Sequence, residues 1–360
     1  MPTKLKLMIA VSVILLAAVL VIISATTKAQ QPYTQVIMNL LNGQQYFGVP
    51  HVYQGDNYGK PTNQCPVYYG PSNASSYWSQ GGISSDQPVL ELTPAQTWSA
   101  GTMFWQAHYS GGPVTITMVG TFSSGSSYSP DGFVIYLFLP SSSLMWGVSP
   151  TYNYSISYIS AAGAGWGGDS YPSPIQGNVI FPQSSTPYIV VQWDPVWQTA
   201  AFTSGATGQW NVFIVSNTKG NNPSVTPNPS PNIGSGYAGW DGIGTGAFQP
   251  NPGDRINVTV TYDPSTNTLT GITMDLNTGQ SANFTLNLGN YYTPPSSGNY
   301  VFGVGAVTGD GYANWALLYV AMTTSIKPTP SALPTWIIAV AVIVVVVLIV
   351  ALLMIKRRKR

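Results

Sequence analysis

Residues Arg255 to Met322 read RINVTVTYDPSTNTLTGITMDLNTGQSANFTLNLGNYYTPPSSGNYVFGVGAVTGDGYANWALLYVAM, and this stretch decides the fold. Ile256, Val258, Val260 and Tyr262 alternate with Asn257, Thr259 and Thr261, the period of two that marks a half-buried strand. Asp263-Pro264-Ser265-Thr266-Asn267 then supplies turn chemistry: Pro fixes φ, and Asp and Asn bond nearby backbone. Leu269 to Leu276 returns as the antiparallel partner. Three more strands, Asn283 to Leu288, Tyr300 to Val307 and Asn314 to Met322, follow at the spacing of a β-sandwich. Between the last two lies the loop Thr308-Gly309-Asp310-Gly311-Tyr312.

The same pattern extends upstream. Val114 to Val119, Pro130 to Phe138, Tyr188 to Asp194 and Trp210 to Ser216 read as strands, with Asp131-Gly132 opening the second of these, and the stretches Val89 to Thr93 and Thr97 to Trp105 precede them. Gly220 to Pro231 reads as an extended Pro-rich loop and Gly234 to Gly246, which contains Asp241, as a Gly-rich turn region. From Gln30 to Asp86 no period stands out beyond an opening strand near Thr34 to Leu41. That segment, 30–88, is expected to join the sandwich, because a separate unit of its size without disulfide or metal makes a marginal core. With 37 Gly and 29 Pro among 360 residues, turns outnumber long helices, and the fold class is all-β.

The two ends differ from the middle. Lys4 and Lys6 precede an apolar run from Leu7 to Ile23 and then Ser24-Ala25-Thr26-Thr27-Lys28-Ala29, so 1–29 reads as a secretory signal segment or an uncleaved anchor. Residues 336–355 are continuously apolar and are followed at once by Lys356-Arg357-Arg358-Lys359-Arg360. This is the pattern of one C-terminal transmembrane helix with a basic tail, 356–360, held in the cytoplasm. Residues 327–335 form a short Pro-containing stalk, and 89–326 the sandwich proper. The expected location is the cell membrane, with the ectodomain outside.

Charge narrows the partners. Between Gln30 and Ile326 three basic residues, Lys60, Lys219 and Arg255, face all eleven acidic ones, which argues against nucleic acid or anionic lipid as a ligand of the ectodomain. The expected contact with lipid is the C-terminal helix alone. A single cysteine, Cys65, excludes an intrachain disulfide. Sequons stand at Asn73, Asn153, Asn257 and Asn283.

The order VTVTYDPSTNTLT, VFGVGAVTG, ANWALLYV resembles the closing half of the legume-type (L-type) lectins, the concanavalin A-like jelly-roll sandwich. PDGFVIYLF, from Pro130, is similar to the Asp-Gly strand of that family, and Gly163-Ala164-Gly165-Trp166-Gly167-Gly168 stands where the family has a Gly-rich loop. The resemblance covers roughly Val89 to Met322. It implies a glycan or glycoprotein ligand held by Asp131, by Gly163, Gly165 and Trp166, and by Asp310, Gly311 and Tyr312. Acceptor oxygens, backbone N–H donors and an aromatic face are what a sugar ring asks for. The family's metal ligands are not reproduced: Gln192, Asp194, Gln198 and Thr203 occupy the corresponding positions. One carboxylate does not make a calcium site, so no metal or other cofactor is expected, with Asp194 the one retained candidate ligand.

Two other readings stay open. The first is a structural or adhesive envelope domain without a ligand, since Asp-Gly starts strands for turn reasons alone. The second is a glycoside hydrolase on the same fold, which needs two carboxylates about 5 to 9 Å apart. Glu91 is the sole glutamate, so such a pair draws on Asp131, Asp169, Asp194 or Asp310. His51 and His108 lack metal or triad spacing, and no G-x-S-x-G elbow occurs. The Gly163 to Gly168 text also matches G-x-G-x-x-G, but no helix pattern follows it, which argues against a dinucleotide site.

Overall fold

Every second residue of the quoted strand is buried: Ile256, Val258, Val260 and Tyr262 lose almost all their surface, while Asn257, Thr259 and Thr261 keep part of theirs. The computed structural model describes residues 32–49, 51–57, 66–96, 99–125, 132–140, 187–195, 209–215, 232–234, 237–308 and 311–324. In chain order the strands are β1 (Tyr33–Asn39), β2 (Tyr46–Phe47), β3 (His51–Asn57), β4 (Val67–Tyr69), β5 (Val89–Glu91), β6 (Ser99–Tyr109), β7 (Val114–Gly125) and β8 (Gly132–Pro140). They continue as β9 (Tyr188–Trp193), β10 (Trp210–Val215), β11 (Asn232–Gly234), β12 (Tyr237–Ile243), β13 (Ile256–Asp263), β14 (Thr268–Asp275), β15 (Ser281–Asn287), β16 (Gly298–Val307) and β17 (Ala313–Thr324). One short helix, α1 (Ala74–Trp78), lies between β4 and β5.

The strands form two antiparallel sheets. The first runs β15-β14-β13-β7-β17-β1-β2, with β5 beside β17 and β4 beside β5; the second runs β11-β12-β10-β9-β8-β16-β6-β3. Their inner faces pack against each other as a sandwich. Trp315 of the first sheet lies 4.9 Å from Phe122 and 4.7 Å from Phe133 of the second, ring centre to ring centre, and Trp210 meets Phe284 at 5.0 Å. Gly120 faces the Phe133 ring so closely that a Cβ there would lie 2.1 Å from it. Burying a side chain of this size stabilises the fold by roughly 1.5–3 kcal/mol.

β8 departs from regular pairing. Val301 opposes Leu139 and Gly303 opposes Tyr136, so Leu137 and Phe138 share the single partner Phe302. This is a β-bulge, and Phe138 takes φ +64° within it. The extra residue turns both Leu137 and Phe138 into the core, where Phe138 contacts Tyr109, Tyr262, Tyr300 and Phe302. Val134, Tyr136, Val190 and Phe213 on the opposite faces are buried too, which accounts for the unbroken apolar runs of β8 and β9.

A smaller layer covers the outer face of the first sheet. Ala74, Tyr77 and Trp78 of α1 pack with Val89, Val119, Ala316 and Leu318. The Tyr77 hydroxyl donates to the Asn314 carbonyl at 2.6 Å, and Ser123 Oγ donates to the Tyr77 carbonyl at 2.8 Å. Beside them Glu91 is only 4% exposed.

The region read as a Gly-rich turn, Gly234 to Gly246, holds the last residue of β11 and all of β12 instead. Tyr237 to Ile243 pairs with β10 from Val215 to Trp210, and buried Trp240 and Ile243 hold it down. Segment 30–88, which showed no period beyond its first strand, contributes β1 to β4 and α1. Residues 33–325 form one compact unit. Among the described residues no helix is long and apolar enough to cross a membrane. The signal segment, stalk, C-terminal helix and tail lie outside the described residues, as do Cys65, Asn153, Asp169, Gln198, Thr203 and the loop Gly220 to Pro231.

Candidate functional site

Antiparallel pairing decides which loops meet. Val307 at the end of β16 opposes Gly132 at the start of β8, and also Ala100 near the start of β6. Phe133 opposes Trp193 at the end of β9, which opposes Trp210 at the start of β10. One rim of the second sheet therefore gathers the starts of β6, β8 and β10 with the ends of β9, β12 and β16. The chain also crosses to the first sheet at this rim, from Thr308 into Ala313 and from Gly244 into Ile256.

Gly132 marks the centre of that rim. It has φ +85°, and a Cβ there would lie 2.1 Å from the Trp193 carbonyl oxygen, so no other residue fits without backbone movement. Its predecessor Asp131 lies outside the described residues. Gly125, which ends β7, comes within contact of the Tyr312 backbone: an added Cβ would sit 3.1 Å from the Tyr312 carbonyl oxygen.

The loop between β16 and β17 is pinned at both ends. Thr308 Oγ1 accepts the Ser99 N–H at 2.9 Å and donates to the Gln96 carbonyl at 2.8 Å. Thr93 Oγ1 donates to the Ala313 carbonyl at 2.7 Å and accepts the Trp315 N–H at 3.1 Å. Gly311 is buried and Tyr312 half-buried between these anchors. Asp310 lies outside the described residues. Neither threonine stands out in a chain this rich in Thr; only the register identifies them as anchors.

Asp194 follows β9 at the same rim, half-buried, with its N–H donating to the Gln209 carbonyl at 2.9 Å. Gln209 is itself a clamp. Its Nε2 donates to the carbonyls of Pro195 at 2.5 Å and Phe248 at 3.2 Å, and its Oε1 accepts the Phe248 N–H at 3.1 Å. Behind it Asn211 Oδ1 accepts the Gly242 N–H at 2.9 Å. These amides tie the loops around Asp194 without any charge. Among the described residues no group of three or more His, Cys, Asp and Glu side chains gathers.

Gly163, Gly165 and Trp166 lie outside the described residues. The strand ends that bracket their segment, Pro140 of β8 and Tyr188 of β9, stand at the end of the sheet opposite Gly132. The structure thus brings Gly132, Asp194, Gly311 and Tyr312 to one rim. Asp241 lies within β12 rather than in a loop. His108 is an exposed strand residue whose Nδ1 is 3.1 Å from Asn299 Oδ1.

The described residues define an all-β sandwich of two antiparallel sheets. Among solved structures the chain is similar to legume lectins. Peanut lectin bound to a nine-residue peptide shows 15% identity and a TM-score of 0.42, over 82% of this chain and 97% of that one. Lectin II from Ulex europaeus shows 13% and 0.41, over 82% and 100%. Basic winged bean lectin with Tn-antigen shows 15% and 0.41, over 81% and 98%. No family model and no curated protein matches the sequence.

Proposed function

We propose that the chain is a membrane-anchored cell-surface protein that binds carbohydrate at the rim around Gly132. One observation carries the reading: the register sets Gly132, the residue after Asp131 in the sequence, beside Val307, and Phe133 beside Trp193, so that Gly132, the Tyr312 loop and Asp194 share one rim. Asp131 then accepts hydrogen bonds from two sugar hydroxyls, Gly311 and its neighbours donate backbone N–H groups, and Tyr312 offers a ring face. The resemblance of the strand motifs to the L-type lectins supports the same assignment. No metal takes part in this reading, and neutral amides such as Gln209 brace the loops.

The test is a glycan array probed with the soluble fragment Gln30 to Ile326, followed by calorimetric titration of whichever glycan binds. A hydrogen bond to a charged acceptor is worth roughly 1.5–3 kcal/mol, so Asp131→Asn weakens binding by about one to two decades without unfolding the domain. Tyr312→Ala weakens it through lost stacking, and Asp241→Asn in β12 leaves it unchanged. Wild-type affinity in folded Asp131→Asn overturns the site. Hydrolysis of the bound glycan instead identifies the glycosidase reading, and silence across the array the structural one.

A further inference from the structure

On β14 the outward positions are Ile272 and Met274, with Leu276 directly after them, and all three are exposed, at 41%, 36% and 49%. They are half of the six large exposed hydrophobics among the described residues, gathered on one strand and the residue that follows it. Such a stripe on a sheet face is otherwise a liability. The register identifies its flanks. Ile272 lies between Thr259 of β13 and Asn283 of β15, and Met274 lies between Asn257 and Ser281. Asn257-Val258-Thr259 and Asn283-Phe284-Thr285 are both sequons, one on each side of the stripe.

Their strand setting presents the acceptor groups together. With side chains alternating, Val258 and Phe284 point into the core while each Asn shares the outer face with its Thr. Asn283 is exposed and Asn257 half-buried. Thr259 Oγ1 donates to Asn257 Oδ1 at 3.1 Å, and Thr245 Oγ1 donates to Asn283 Oδ1 at 3.3 Å. Neither Nδ2 has a hydrogen-bond partner among the described residues. Two strand spacings separate the pair, about 10 Å across the sheet, so one glycan on each reaches the ground between them. Asn73 is exposed as well, at the start of α1, but no exposed large hydrophobic adjoins it.

We infer that Asn257 and Asn283 are N-glycosylated and that their inner sugar rings cover Ile272 and Met274. The inference is separate from the sugar-binding rim and uses only the outward orientation of the sandwich. The donor class is a lipid-diphosphate-linked oligosaccharide. The Asn amide nitrogen attacks its anomeric carbon, the carbon–oxygen bond to the diphosphate breaks, and the lipid diphosphate leaves with the electron pair. The amide gives up one proton to a base of the transferase, and no redox change occurs.

The experiment is glycopeptide mass spectrometry of the full chain purified from its native membrane, beside Asn257→Gln, Asn283→Gln and the double variant. The expected result is a glycan on the Asn257 and Asn283 peptides, lost singly in each variant. Unmodified peptides at both positions overturn the proposal. Protease treatment of intact cells reads orientation separately, so failure of the modification is distinguishable from failure of the topology. Covering has its own readout: peroxide oxidises Met274 several-fold faster in the double variant than in the glycosylated chain. Equal rates overturn the covering.

Discussion

Asn267 occupies φ +49°, the left-handed region that Asn tolerates, and its amide holds three groups at once. Nδ2 donates to the carbonyls of Gly289 and Tyr292, each at 2.7 Å, and Oδ1 accepts the Tyr262 hydroxyl at 3.0 Å. Asn267→Ala removes all three and keeps the strained backbone, so the domain loses roughly 2–4 kcal/mol, read as a lower urea midpoint with unchanged slope. The turn residues were legible because Asp263 and Asn267 act on nearby backbone: Asp263 Oδ1 accepts both the N–H and hydroxyl of Ser265. Thr93, Thr308 and Gln209 were not legible. Their partners are distant in sequence, and nothing in a Thr- and Gln-rich chain marks the one copy that bridges two strands. Gly132 was read through its Asp-Gly dipeptide; its close approach to the Trp193 carbonyl depends on β9 and could not be read locally.

Among the elements, β5 carries the clearest dependence on pH. Glu91 has no cation against it among the described residues: Tyr69 and Tyr77 of α1 face it, and its partners across the ladder are Ala316 and Val67. Loss of water pushes its carboxyl up to about 7, opposed by a hydrogen bond from Tyr69. The same burial, and then the Glu91 charge, raises Tyr77. Because the folded value lies above the unfolded one, the folded state holds the proton longer. Stability is therefore fully present below about pH 4.5 and falls as pH rises through about 7, by about 3 kcal/mol at most. Thermal melts at pH 5 and pH 8 should show the wild type more stable in acid, and Glu91→Gln should flatten the difference. An unchanged slope in that variant would place the dependence elsewhere. Strands with alternation were legible to within a few residues, β13, β14 and β15 among them. β12 was not, because glycines interrupt its pattern and only pairing to β10 makes it a strand.

At the scale of the whole chain, the two apolar flanks and the terminal cations predict an outward sandwich with residues 356–360 inside. Protease added to intact cells should remove the ectodomain and leave an epitope after Arg360 protected; loss of that epitope in sealed cells would reverse the orientation. The sandwich class was legible because turn-separated strands recur along the chain, but the division into two sheets was not, since β16 and β17 are sequence neighbours in different sheets. Of the candidate site residues, Gly311 and Tyr312 fall among the described ones, and only the register of β8 against β16 and β9 gave Gly132 and Tyr312 a common rim. That register has a counterpart at the far end. Tyr33 and Thr324 are direct partners in antiparallel β1 and β17, so the first and last strands end side by side, about 5 Å apart. Between Tyr33 and Thr324 the sandwich is thus nearly a closed circuit of chain. A peptide joining those two ends would leave every strand pair in place and act on the unfolded chain alone, removing on the order of 5 kcal/mol of its freedom. New ends could then open at an exposed tip such as Ser265-Thr266 without disturbing a ladder, which makes the corner at Tyr33 and Thr324 a seam in the connectivity rather than in the packing.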